Sequence, residues 1–256
     1  MRVFIELAFD GTHYHGWQRQ PKDRTVQQEI EDAIAVLCCE HCNVVGCGRT
    51  DSGVHASYYV AHATLPDLAL KRFESLDQLA FKLNGMLDHD IAINKITRVS
   101  DDAHARFDAL KRSYIYRLHS VKNPFKNGLS ARFFGDLDID QMNSAAQLLQ
   151  FKGEFDSFCK AGSDNKTTIC DVSHVSVTAE EGGSVRIDIS ADRFLRNMMR
   201  AVVGTLLQVG RGKMTIEEFQ AVIDAKDRSA AGKSAPACGL YLAAIEYPEN
   251  TWKGEE

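Results

Sequence analysis

The sequence predicts an α+β fold of two ferredoxin-like halves that share a mainly antiparallel sheet, with helices on one side. Two observations predict it. Segments of strand and helix period run β-α-β-β-α-β up to about residue 105, and a similar order then begins again. No linker rich in Pro, Gly or Ser parts the two runs, so a shared sheet or a wide interface is expected between an N-terminal half, 1–105, and a C-terminal half, 106–256. With 256 residues and 44% apolar composition, the chain can bury a substantial core.

Val3, Ile5, Leu7 and Phe9 alternate on one face over residues 2–9, the period of a half-buried strand. A polar, aromatic loop from Asp10 to Gln20 follows. Thr25 with Gln28 three residues on reads as a capping box, and Ile30, Ala33, Ile34 and Leu37 keep helical spacing to about Cys39. Strands near 43–47 and 57–64 flank a glycine-rich loop, a helix fits Leu76 to Met86, and another strand opens at Ile91. In the second half, 113–118 reads as strand, Ile139 to Phe151 as helix and 168–178 as strand, and Gly182-Gly183 turns a hairpin into Val185 to Ile189. An apolar helix from about Arg193 to Val209 should stop at Gly210, because glycine suits the position just past a helix end. A helix from Ile216 to Ala225 and a strand from Leu240 to Ile245 complete the set. The order is RNA-recognition-like in both halves, although the aromatic signature of the standard RNA-recognition strand is missing.

The chain is organised around Gly46-Cys47-Gly48-Arg49-Thr50-Asp51-Ser52-Gly53-Val54-His55-Ala56. Three glycines in eight residues let the backbone turn sharply or lie against a ligand. The flanking strands would hold Asp51 at the end of a sheet, where loops carry function. From the loop alone, a hairpin turn whose Asp bonds its own backbone is an equal reading. Two other stretches bear on the choice. Arg193, Arg196 and Arg200 are spaced by three and four, which places them on one face of the expected helix. An interior cation demands an anion nearby, and Arg200 is a natural partner for Asp51; on spacing alone, an ordinary solvent-facing stripe is the alternative reading. Tyr114 and Tyr116 share a strand face beside Lys111, Arg112 and Arg117, an interleaving of rings and cations that suits unpaired bases and their backbone. Strand propensity alone would also fill those positions with core tyrosines.

Composition and failed motifs exclude several classes. A net charge of −5 argues against a protein that coats nucleic acid indiscriminately, while leaving room for a local basic cleft. Gly232-Lys233-Ser234 would need a glycine at Asp227 to be a phosphate-binding loop, and Gly210-Arg211-Gly212-Lys213 would need one at Leu207, so no nucleotide cofactor is expected. Seven cysteines in a chain of this size read as reduced thiols, and Cys38-Cys39-Glu40-His41-Cys42 matches no zinc spacing, so no metal is expected either. His13, His15 and His55 read as structural or RNA-contacting. Clustered carboxylates of the kind a metal-dependent nuclease needs are not apparent. Met1-Arg2 leads directly into the first strand with no signal-peptide pattern, and no apolar run approaches bilayer length, so the expectation is a cytoplasmic protein with no membrane partner.

Several ordered motifs together resemble one family. They are Phe9-Asp10-Gly11, Gly16-Trp17-Gln18-Arg19-Gln20, Gly48 to Ala56, His104-Ala105-Arg106-Phe107, Phe194 to Arg200, Gly239-Leu240-Tyr241-Leu242 and Tyr247-Pro248. Over nearly its whole length the chain is similar to the bacterial tRNA pseudouridine synthase A family, also called tRNA pseudouridine(38-40) synthase. It departs at Phe9, where the family usually has tyrosine, and at Ser52, where it usually has alanine. The resemblance implies that Asp51 is the nucleophilic aspartate, that Tyr114 lies against the target base, that Arg49 helps keep the target nucleotide out of the stack, and that Arg200 pairs with the catalytic carboxylate. Leu240 and its neighbours would wall the pocket from water. It also implies a homodimer that receives the anticodon arm of tRNA, without cofactor or metal, and converts uridines at positions 38, 39 and 40. The competing expectation is a non-catalytic RNA-binding module or tRNA chaperone; against it stands the carboxylate in the loop, which repels phosphate.

Overall fold

A computed structural model describes residues 1–66, 71–163 and 166–252. It divides into two compact units, Met1–Leu110 together with the chain from Leu242 onward, and Lys111–Tyr241. In the first unit the elements are β1 (Arg2–Phe9), α1 (Val26–Cys38), β2 (Val44–Gly46), β3 (His55–Thr64), α2 (Leu76–Asn84) and β4 (Ile91–Arg98). β1 lies between β3 and β4, antiparallel to both, and β2 pairs with β3 so that Val44 faces Ala63.

Val3, Ile5, Leu7 and Phe9 are buried as their alternation requires, with Ile30 and Ile34 of α1 and Leu79 and Leu83 of α2. The alternation breaks at Phe4, which is fully buried as well. Its ring meets Tyr247 and Trp252 at 5.2 and 5.4 Å, so the C-terminal stretch covers the face that local pattern leaves to water. Thr25 is the N-cap of α1, but its side chain makes no capping bond, so the expected capping box does not form. The helix ends where Cys39 turns left-handed at φ 54°.

The second unit contains β5 (Lys111–His119), β6 (Ala131–Arg132), α3 (Ile139–Gln147), β7 (Lys152–Glu154), β8 (Ile169–Glu180), β9 (Ser184–Ala191), α4 (Met198–Gly210) and α5 (Ile216–Ala225). β10 (Leu240–Glu246) starts here and carries the chain back to the first unit. β9 lies between β5 and β8, antiparallel to both, β7 pairs antiparallel with β8, and β6 pairs parallel with β5. Gly182 and Gly183 take φ of +67° and +69° in the β8–β9 turn, a backbone that a side chain resists. At α5 a capping box does form, between Thr215 and Glu218.

Three expectations in this unit are corrected. α3 stops at Gln147, because the chain turns there toward β7. α4 begins at Met198 rather than near Arg193: Asn197 sits left-handed at φ 65°, which asparagine tolerates better than most residues. Arg193 and Arg196 therefore lie before the helix, and the stripe of three arginines on one helix face does not exist. Finally, Gly210 is the last helical residue, and the positive φ falls at Gly212. Glycine is needed at 210 for a different reason, since a Cβ there would press on the Met142 side chain of α3.

Candidate active site

The loop between β2 and β3 carries Arg49 and Asp51 and is held from below by the Asp10–Gln20 loop. The Gly53 amide donates to the Tyr14 carbonyl over 3.2 Å, and the Ser52 hydroxyl donates to the same oxygen over 3.3 Å. Ser52 thus spends its hydroxyl on the scaffold. A Cβ on Gly11 would collide with the Val54 carbonyl, and one on Gly16 with the Thr50 carbonyl, so these two glycines permit the loops to touch backbone to backbone. Of the three glycines in the Asp51 loop, Gly53 takes a positive φ of 75°, and Gly46 makes room for Trp17 and the Tyr59 hydroxyl. Nothing in the structure requires glycine at 48.

Beneath the loop, Trp17 stacks on Tyr59 at 4.2 Å, Phe9 closes on both rings, and the Tyr59 hydroxyl donates to the Gly48 carbonyl. Asp51 is half-buried and Arg49 exposed. His55 is 1% exposed, with its Nδ1 3.1 Å from the Gly11 amide and 3.0 Å from Asp10 Oδ1, so it serves the scaffold. Burial raises the pKa of Asp10, but bonds from Thr12 and the nearby His55 outweigh it and hold the carboxyl below its usual value. His13 and His15 are exposed.

Tyr114, Arg200 and Leu240 belong to the second unit. Tyr116 is fully buried, and its hydroxyl donates to the Pro236 carbonyl over 2.7 Å. Burial holds that hydroxyl protonated, its pKa raised well above the usual tyrosine value. Tyr114, two residues earlier on the same face of β5, stays half-buried and meets the edge of Phe194 at 4.9 Å and 77°. The two tyrosines thus divide the alternatives between them: one is core, the other remains reachable. Phe194 lies in the segment expected to be helical, and makes its contact with Tyr114 from the irregular backbone before Met198. Arg200, in the first turn of α4, donates from Nε to the Ala235 carbonyl over 2.7 Å and accepts from the Ala235 amide over 2.8 Å. Leu240 is buried at the start of β10.

The failed phosphate-loop motif has a structural role. Gly232 and Lys233 lie on Gly204 of α4 so closely that a Cβ on Gly204 would fall inside the Lys233 carbonyl oxygen. The Gly232 amide donates to Thr205 Oγ1 over 2.9 Å, and Ser234 Oγ accepts from Asn197 at 2.6 Å.

No group of residues able to hold a metal ion occurs among the described residues. The seven cysteines are free thiols; Cys42, next to the helix end, points at the Thr64 carbonyl, and burial pushes its thiol up to about 11. Among the described residues no helix is long and apolar enough to cross a membrane.

The profile of the family described as tRNA pseudouridine synthase matches residues 7–108 and 145–248. The chain belongs to the tRNA pseudouridine synthase family. A tRNA pseudouridine synthase A of Bacteroides fragilis is 45% identical to it over 252 residues, covering 98% of both chains. One from Bacteroides thetaiotaomicron is 46% identical over 99% of this chain and 93% of its own, and one from Vibrio campbellii 36% identical over 97% and 93%. The family match ends at Asp108, resumes at Ala145 and includes the Asp51 loop, Phe194, Arg200 and Leu240; Tyr114 and the Ala131–Asp140 stretch fall in the interval. In this synthase the residues that sequence reasoning missed are those that position others: Gln27 and Glu31 under the Arg49 loop, and Phe194 and Ala235 beside Tyr114 and Arg200. Their bonds join residues far apart in the chain, which no local spacing announces.

Proposed function

We propose that this chain isomerises uridine to pseudouridine in tRNA, at positions 38, 39 and 40 of the anticodon arm, with Asp51 as the attacking carboxylate. Membership of the family across nearly the whole chain carries this reading, and a single half-buried carboxylate on a loop braced by two backbone contacts supports it. The reaction breaks the bond from uracil N1 to the ribose, turns the ring, and rejoins it through C5, whose proton is released while N1 gains one. Bonds and charges balance without a redox partner or an energy source. Asp51 can attack the sugar or the base, or remove a ribose proton. The target base must leave the stack to be reached, and Arg49 supports its extruded position. Tyr114 holds the detached ring, Leu240 excludes water, and Arg200 complements the charge of the site.

The same reading makes each half ferredoxin-like, divides them near residue 105, and has the protein act as a cytoplasmic homodimer without cofactor or metal. Release of tritium from C5-labelled uridine in tRNA tests the activity. Asp51→Asn and Asp51→Ala should abolish release while tRNA binding persists; substantial release by either purified variant would refute the role of Asp51.

A further inference from the structure

Resting on that reading of Arg49, we infer that Gln18, Gln27 and Glu31 form an oriented hydrogen-bond relay that positions the Arg49 guanidinium from inside the first unit. Glu31 is a carboxylate on α1 that is only 2% exposed. Such a group must be filled with donors, and it is: Oε2 accepts from Arg19 at 2.9 Å, while Oε1 accepts from Gln27 Nε2 at 2.9 Å and from the Val44 amide at 3.0 Å. The Val44 amide opens β2, the strand that leads into the Asp51 loop.

The direction of the relay follows from chemistry at each joint. A carboxylate only accepts, so Gln27 must turn its NH2 toward Glu31. That leaves the Gln27 carbonyl facing outward, where it accepts from the Arg19 backbone amide at 2.9 Å, an unambiguous donor, and from Gln18 Nε2 at 3.2 Å. Gln18 has then committed its own NH2, and its Oε1 is presented to Arg49 Nε at 3.3 Å. Each amide has one orientation that satisfies its neighbours. A buried negative charge thus determines that an oxygen, not an NH2, faces the guanidinium in the loop that carries Asp51. Arg49 is exposed, and a long exposed cation samples many rotamers unless something selects one; Gln18 supplies that selection. Gln18, Gln27 and Glu31 are positioning residues that touch no substrate themselves.

The experiment combines kinetics with a spectroscopic readout. Gln18→Met and Gln27→Met are made singly and in an Arg49→Met background, and kcat and KM are measured by C5-tritium release from tRNA. In the wild-type background both substitutions should lower kcat about tenfold with little change in KM, the cost of a misplaced group rather than of a lost binding contact. In the Arg49→Met background both effects should vanish, because residues acting through one group are not additive. Independently of turnover, the Arg49 Nε–H proton resonance should shift toward its free-solvent position in both variants. Unchanged kcat in both, effects that persist without Arg49, or an unmoved Nε–H resonance would overturn the relay. Gln18 is exposed, so its substitution reads out the relay even if Gln27→Met folds poorly. A wild-type chain that releases no tritium would instead refute the proposed activity, and the Nε–H resonance would still decide the relay.

Discussion

Arg200 and Ala235 grip each other twice: Arg200 Nε donates to the Ala235 carbonyl at 2.7 Å, and the Ala235 amide donates to the Arg200 carbonyl at 2.8 Å. The pair ties the first turn of α4 to a stretch more than thirty positions later. It also gives the Arg200 Nε–H a fixed acceptor. The stretch itself is seated by Gly204, one helical turn beyond Arg200.

Gly204→Ala should therefore damage both stability and turnover. A Cβ there meets the Lys233 carbonyl, and backbone cannot yield as a side-chain tip does. Overpacking of this kind costs about 1–3 kcal/mol, to be read from the urea unfolding midpoint, and the displaced Ala235 carbonyl should lower kcat as well. Gly48→Ala, with nothing within 4 Å of the added carbon, serves as the control and should leave the midpoint unchanged. Equal midpoints for the two variants would contradict the packing assigned to Gly204.

Tyr114→Phe should retain most activity, and Tyr114→Ala should lose about tenfold or more in kcat/KM. The edge contact with Phe194 at 4.9 Å belongs to the ring and survives loss of the hydroxyl. Stacking of a base on a ring is worth about 1–3 kcal/mol. Equal activity of the two variants in the tritium assay would exclude a base-holding role for the ring.

Stability should fall with pH below about 6.5 in a way that depends on His62. Burial pushes this imidazole down to about 4 from an ordinary 6.5, and His104 and Arg2 add to the effect. Its Nδ1 accepts the Ala105 amide at 3.1 Å, a bond available only to the neutral ring. Between those two pH values the unfolded chain binds a proton that the native chain refuses. The contribution of His62 is thus complete above pH 6.5 and lost as pH falls toward 4, with a slope of at most about 1.4 kcal/mol per pH unit. His62→Asn keeps an acceptor for Ala105 and cannot titrate, so its urea midpoint should vary less over this range. Parallel pH profiles for the two proteins would exclude His62 as the source.

The sequence alone was sufficient for the period-driven features. β1, α2, β4, α5 and the β8–β9 turn follow from spacing and from glycines whose φ no other residue takes readily. Residues 46–56 were legible as a glycine-rich link between two strands, because glycines flanked by apolar, strand-forming stretches are a local pattern. The Cys38–Cys42 stretch was legible as thiols at a helix end for the same reason.

Tertiary structure decided what depended on partners distant in the chain. It buried Phe4 under Tyr247 and Trp252, denied Thr25 its capping bond, and began α4 at Met198, leaving Phe194 outside the helix with its ring on Tyr114. It assigned Gly204 and Gly210 to close packing, and it made Glu31 the anchor of a network ending at Arg49. The physical reason is common to all of these. Hydrophobic period and backbone strain act over a few residues and leave their mark on spacing. The satisfaction of a buried charge, or the room for a Cβ, depends on whichever atoms folding brings alongside.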